Sequence, residues 1–166
     1  MKSPAASLHD HHVELVSHVA FMRLAADAVG HSSADDLIED VDEVLGFLTH
    51  VLLPQAERED RIVYPAVDRA AGSREATRTM RRDHVEVARL TEQLRRMRPR
   101  AYAANEDRLV ACELRRILYA LHAIVSLHLS KEEELLLPLL DEWLTAAEAL
   151  ALAHAMADFG TAALPD

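Results

Sequence analysis

Two stretches of this sequence carry acids and nitrogen-bearing side chains in the same frame. One is "HLSKEEELLLP", residues 128–138, and the other is "QAEREDRIVYP", residues 55–65. Aligned on their prolines, Glu59 falls under Glu132 and Gln55 under His128. Helical residues four apart lie about 40° apart round the axis and about 6 Å along it. His128 and Glu132 can therefore contact one ion. A second match lies one helix earlier in each half, "HVEL" at 12–15 and "HVEV" at 84–87. The offset is 72 residues for the histidines and 73 for the Glu-to-Pro segments. His12 and His84 add imidazoles, and Glu59 and Glu132 add carboxylates that could bridge two ions. Imidazole with carboxylate is the donor set of non-heme iron or manganese, and less specifically of zinc. A single His-x-x-x-Glu is usually a solvated pair; its repetition is what points to metal.

Helices must position these groups. "GHSS" at 30–33 ends a first helix begun near Ser7. Ser33 can cap a second helix, with Asp35 and Asp36 in its first turn. That helix runs to about Ala70, ends at Gly72, and is bent by Pro54 inside it. A third helix is predicted over 74–98, stopping before Pro99, and a fourth from about Glu106 to Glu142. Thr145 and Glu148 form a capping-box pattern for a short fifth helix over 145–159, with a frayed tail after Gly160. No segment alternates with the period of a strand. The prediction is one all-α domain over 1–166. Its core is an antiparallel up-down-up-down four-helix bundle, about 7–142, with the short C-terminal helix packed across one end.

The composition agrees: half the residues are hydrophobic, 4% are aromatic, and there are four glycines. A formal charge of −10 argues against a dedicated nucleic-acid partner. The longest apolar run, "ILYALHAIVSLHL", is too short to span a bilayer, so no membrane role is expected. The lone cysteine, Cys112, fits a reducing compartment and reads as a small buried side chain. With no apolar leader in "MKSPAASLHDHHVEL", a cytoplasmic location is expected.

The order His, then x-x-x-Glu running to a proline, then His, then His-x-x-x-Glu running to "LLLP", resembles the hemerythrin-like (HHE cation-binding) domain over roughly residues 8–142. The resemblance implies a four-helix bundle holding a non-heme di-iron centre, oxo- or hydroxo-bridged and carboxylate-bridged. It further implies a small diatomic or peroxide ligand, which the protein binds, senses or decomposes. Position by position, the implied metal ligands are His12, Glu59, His84, His128 and Glu132. Gln55 stands where the family pattern has histidine, and Ala88 where oxygen carriers have a second histidine on the third helix. An amide oxygen is a weak, neutral ligand beside an imidazole. This argues against reversible dioxygen transport and leaves open positions that suit peroxide or nitric oxide. A catalase-like enzyme and a stoichiometric sensor would use the same residues. Two rival readings remain: a non-catalytic metal-binding or regulatory module, and a structural bundle whose metal site has degenerated.

Other histidines are candidates to make up the deficit. Counted along antiparallel helices, His18, His50 and His122 reach one level above the proposed ligands, where they could form a second histidine layer; each sits more than about 100° round its helix from the ligand stripe, which favours separate boundary or surface positions. The acids Asp60, Glu133 and Glu134 read as a charged outer face, and Tyr64 and Trp143 as packing at the bundle end, with Tyr64, next to Pro65, near the metal layer. The Arg-rich third helix suggests docking to an acidic partner or to another copy of the chain.

Overall fold

The computed structural model describes residues 3–162, with side chains described as far as Met156. Among the described residues every regular element is helical. The helices are α1 (Pro4–Ala28), α2 (34–70), α3 (Arg78–Met97), α4 (108–143) and α5 (Ala146–Ala162). They form a bundle. α1 and α4 meet in opposite senses, with His12 beside Glu133 and Asp27 beside Tyr119. α2 meets α3 and its extension the same way, with Asp60 beside Arg81 and Asp42 beside Arg98.

Local chemistry sets the ends, and several differ from the sequence reading. α1 begins at Pro4 rather than near Ser7, because the Ser3 side chain accepts from Ala6 N and Pro4 suits the first turn. α3 begins at Arg78 rather than 74. Asp68 accepts from both the backbone N–H and the hydroxyl of buried Thr77, which holds the preceding residues in turns. After Met97 the chain tightens into a 3-10 turn, Arg98–Ala103, instead of stopping. Asp107 caps α4, accepting from Leu109 N and Val110 N, so that helix starts at Arg108 rather than Glu106. The Thr145–Glu148 capping box forms, and α5 runs on to Ala162. Of the expected frayed tail, residues 163–166 lie outside the described residues. Gly30 and Gly72 take φ of +79° and +65°, the left-handed conformation that ends α1 and α2.

The prolines inside α2 and α4 do more than bend them. Each comes just after a single π turn: Leu48–Leu52 before Pro54, Glu59–Val63 before Pro65, and Glu132–Leu136 before Pro138. A proline has no N–H, and its ring crowds the carbonyl one turn back. One wider turn relieves that crowding and keeps the helix continuous. The residue before each proline then donates to a carbonyl five back: Leu53 to Leu48, Tyr64 to Glu59, and Leu137 to Glu132. Two of the three π turns thus start on the repeated glutamates.

The apolar core is split by a polar layer. The larger cluster includes Leu15, Leu52, Val87 and Val125; the smaller includes Leu8, Val63, Met80 and Leu136, with Leu152 from α5. Each of the four long helices passes from one cluster to the other through the level of His12, Glu59, His84 and Glu132. Cys112 is exposed, not buried as its small size suggested. No helix among the described residues is long and apolar enough to cross a membrane.

Replacing Asp107 by Ala leaves two N–H groups of α4 without their cap. It is expected to lower stability by about 1 kcal/mol, read as a lower urea midpoint at unchanged slope, with Asp107→Asn nearly neutral.

Candidate metal centre

α1 supplies His12, α2 supplies Gln55 and Glu59, α3 supplies His84, and α4 supplies His128 and Glu132; all six are buried. They form two groups with donor atoms mutually within 4.8 Å: Glu59, His84 and His128, and His12, Glu59 and Glu132. Glu59 belongs to both. The distances around it are short. His84 Nε2 lies 3.3 Å from Glu59 Oε2 and 3.0 Å from His128 Nε2. His128 Nε2 lies 3.7 Å from Glu132 Oε2.

The outward edge of each imidazole meets a carboxylate. His12 Nδ1 is 2.6 Å from Glu133 Oε1, His84 Nδ1 is 3.1 Å from Asp60 Oδ1, and His128 Nδ1 is 3.2 Å from Asp83 Oδ2. With Nδ1–H donating outward, each neutral ring turns the lone pair of Nε2 inward. Carboxylates in this position orient a metal-binding imidazole and raise its basicity. Each carboxylate is held by a cationic or basic group in turn: Glu133 by His9, Asp60 by Arg81, and Asp83 by Lys131. Asp60 and Glu133 therefore face inward to the histidines and are not the plain outer face the sequence suggested. Asp83 carried no signal of its own in the sequence.

The electrostatics ask for positive charge. Burial works against a charged imidazole at His12, but Glu132, Glu133 and Glu59 outweigh it and hold the proton above the usual histidine range. Burial opposes it at His84 too, where Glu59 and Asp60 prevail in the same direction. Glu132 is buried, which by itself favours the neutral acid, yet His12, His128 and Tyr64 keep its carboxyl below the usual range. His12 Nε2 and Glu132 Oε2 lie 3.2 Å apart but out of hydrogen-bond alignment, and neither atom makes a hydrogen bond on the chain. Such orphaned donor atoms, facing each other at a cluster of imidazole lone pairs and carboxylates, are what a divalent cation would satisfy. The donor set therefore fits a metal.

Gln55 keeps its place in the layer but points its amide at a neighbour: Nε2 donates to Glu59 Oε1 at 2.7 Å, and Oε1 has no partner. The pseudo-repeat breaks twice on this side. The residue aligned with Asp83 is His11, so the position of Gln55 lacks both the imidazole and its supporting acid.

Tyr64 belongs to the smaller apolar cluster and sits where that cluster meets the polar layer. It is fully buried in the layer, donates to Glu132 Oε1 at 2.8 Å, and stacks on His84 with ring centroids 5.4 Å apart. Burial and the carboxylates of Glu132 and Glu59 push its phenol far up, so it acts as a neutral donor. On a regular helix Tyr64 would sit about 140° from Glu59, five residues earlier; the π turn brings the two into line. The signal was available in sequence as a glutamate six residues before a proline, twice.

His18, His50 and His122 join no cluster of three ligand-type side chains among the described residues. His18 is exposed and stacks on Phe47 at 4.6 Å, and exposed His50 meets the Gly46 carbonyl at 3.0 Å. The contacts of His18 and His50 agree with separate histidines, the reading favoured over a second layer. Their angle round each helix, more than about 100° from the ligand stripe, already favours separate positions.

Residues 3–140 match the family model described as Hemerythrin HHE cation binding domain. No curated protein and no solved structure matches the chain.

The geometry carries two expected outcomes. Asp83→Asn removes the acid behind His128 and should weaken cation binding by roughly 10- to 100-fold, measured by competition with a chromophoric chelator, while the helical circular dichroism stays as in wild type. Cation affinity should also rise with pH. His12 and His84 hold protons above the usual histidine range, and an ion needs the Nε2 lone pairs, so binding releases protons. Affinity flat across the neutral range in the same competition assay would contradict this.

Proposed function

Because the chain belongs to the hemerythrin HHE cation-binding family, we propose that it is a cytoplasmic non-heme di-iron protein that binds, senses or decomposes a small oxidant: peroxide, dioxygen or nitric oxide. The observation that carries this reading is Glu59, shared by two buried three-residue donor groups. His12, Glu59 and Glu132 would hold one cation, and Glu59, His84 and His128 the other, in an up-down-up-down bundle. Bound there, iron would supply Lewis acidity and one-electron redox change toward a small oxidant.

The chain's own residues supply the rest. Glu59 and Glu132 provide the negative charge that keeps two cations close together. Asp60, Asp83 and Glu133 orient the three imidazoles. Tyr64 keeps its proton and directs it at Glu132 Oε1, which fixes that carboxylate in one rotamer. The apolar clusters on either side exclude water, which strengthens every electrostatic contact inside.

A second reading has its own support. Gln55 in place of an imidazole leaves only three charged or imidazole side chains in each group, which suits a cation-binding regulatory module with no turnover. Zinc or manganese would be accepted by the same donors. The Arg-rich α3 gives less support for an acidic partner, since Arg89 pairs with Glu86, and both Arg95 and Arg96 pair with Glu92.

Metal analysis of protein purified without added metal tests the reading. About two irons per chain are expected, as in other di-iron carboxylate bundles, falling to one or fewer in Glu59→Gln. Zinc alone, or no metal in wild type, would set the iron reading aside.

A further inference from the structure

The outer face of the α1–α4 pair is short of charge. On α4 no Asp, Glu, Lys or Arg occurs from Ile117 to Ser130, about four helical turns. On α1, Val13, Val16, Ala20 and Leu24 recur at steps of three and four residues, so they form one stripe within about 80° round the axis. The stripe is turned to solvent: Val16 is 63% exposed, Val13 60% and Leu24 53%. On the α4 side Leu127 and Tyr119 are exposed as well. Between the helices Val13 and Val16 border an open cleft of about 370 Å³, shared with Ser126, Ser130 and Glu134. Single exposed apolar residues are ordinary on a protein surface, but a continuous run on two neighbouring helices marks a contact.

Charge at the two ends of this face says what fits it. Beside His12, the acids Glu133 and Glu134 border the cleft. At the other end, where Asp27 meets Tyr119, stand Arg23, Arg115 and Arg116, whose charge Asp27 and Glu113 offset only in part. Arg116 and Glu134 lie about five turns apart on the same side of α4. Laid on itself in parallel, the face would set Glu134 against Glu134. Turned about a two-fold axis midway between them, level with Ala20, it sets Arg116 of each copy near Glu134 of the other, and apolar stripe on apolar stripe. Self-complementarity of this kind is what an isologous dimer requires. A membrane surface fits less well, because the acidic end would meet anionic headgroups.

We propose that the α1–α4 face binds a second copy of this chain about that two-fold axis. Leu24 of each copy then seats over the cleft of the other, and Arg116 pairs with Glu134 across the contact. The face is about 27 Å long between those two residues and about 20 Å wide, so the dimer buries on the order of 1,000 Å² in all, the size of a reversible interface rather than an obligate one. The proposal needs no ion in the buried layer and stands apart from the cation reading.

Sedimentation velocity on the full chain, over a series from about 1 μM to about 1 mM, tests it. Wild type is expected to pass from monomer to dimer across the series. Val16→Glu, which sets a charge on the exposed stripe, should stay monomeric with the helical circular dichroism of wild type. Arg116→Glu and Glu134→Arg should each weaken the dimer roughly tenfold, because each pair occurs twice across the axis, and the double exchange should restore it. These charge variants change exposed positions and decide the matter even if Val16→Glu does not fold. Wild type that remains monomeric to the highest concentration would overturn the proposal. A dimer that survives Val16→Glu and both single exchanges would place the contact on another face and overturn it too. A double exchange that fails to recover would overturn the two-fold pairing. Co-sedimentation of a monomeric wild type with phosphatidylcholine or phosphatidylserine vesicles would assign the face to a lipid surface instead.

Discussion

Two carboxylates buried at the centre of an apolar bundle are the constraint on which the rest depends. Glu59 and Glu132 are each 2% exposed, with apolar layers on either side. Removing a carboxylate from water costs several kcal/mol unless charge and hydrogen bonds are returned to it. Part of that return is on the chain: Gln55 donates to Glu59, and Tyr64 donates to Glu132. The rest must be positive charge. Protons on His12 and His84 answer the same field that draws in cations, which is why metal binding and imidazole protonation compete for one set of lone pairs.

The prolines serve this constraint through backbone geometry. A π turn widens the helix by one residue and rotates the next turn round the axis. In α2 the π turn begins on Glu59 and delivers Tyr64 to the layer. In α4 the equivalent turn begins on Glu132 and delivers Leu137 to the smaller apolar cluster. The two halves share a frame but not their second residue. One closes the site with a phenol and the other with an aliphatic floor. The same asymmetry recurs at Gln55 and His11 opposite His128 and Asp83. The chain repeats the frame of a helix pair, and one half differs from the other both at the donor and at the acid behind it.

How much of this was legible in the sequence depends on the distance over which each feature is determined. The all-helical class and the order of helices were readable because period and breakers are local. The buried layer was readable because His12, Glu59, His84, His128 and Glu132 recur at matched offsets. Helix ends went astray where a side chain from elsewhere decides them, as Asp68 does at Thr77. Asp60 and Glu133 were misread because an acid one residue from a ligand-facing glutamate points about 100° away, toward what one helix alone presents as solvent. Only the neighbouring helix shows that a histidine waits there. Tyr64 was legible as near the layer, but its hydrogen bond to Glu132 was not, because the partner lies on another helix. His18, His50 and His122 share a level by count along the helices, but their angle round the axis, more than about 100° from the ligand stripe, favoured separate positions.

Anomalous diffraction at the iron edge, from crystals of the protein as purified, tests the central claim most directly. Two peaks are expected in the buried layer, both in contact with Glu59, one also near His12 and Glu132 and the other near His84 and His128. A single peak away from Glu59, or no peak between the two apolar clusters, would contradict a shared-carboxylate iron pair.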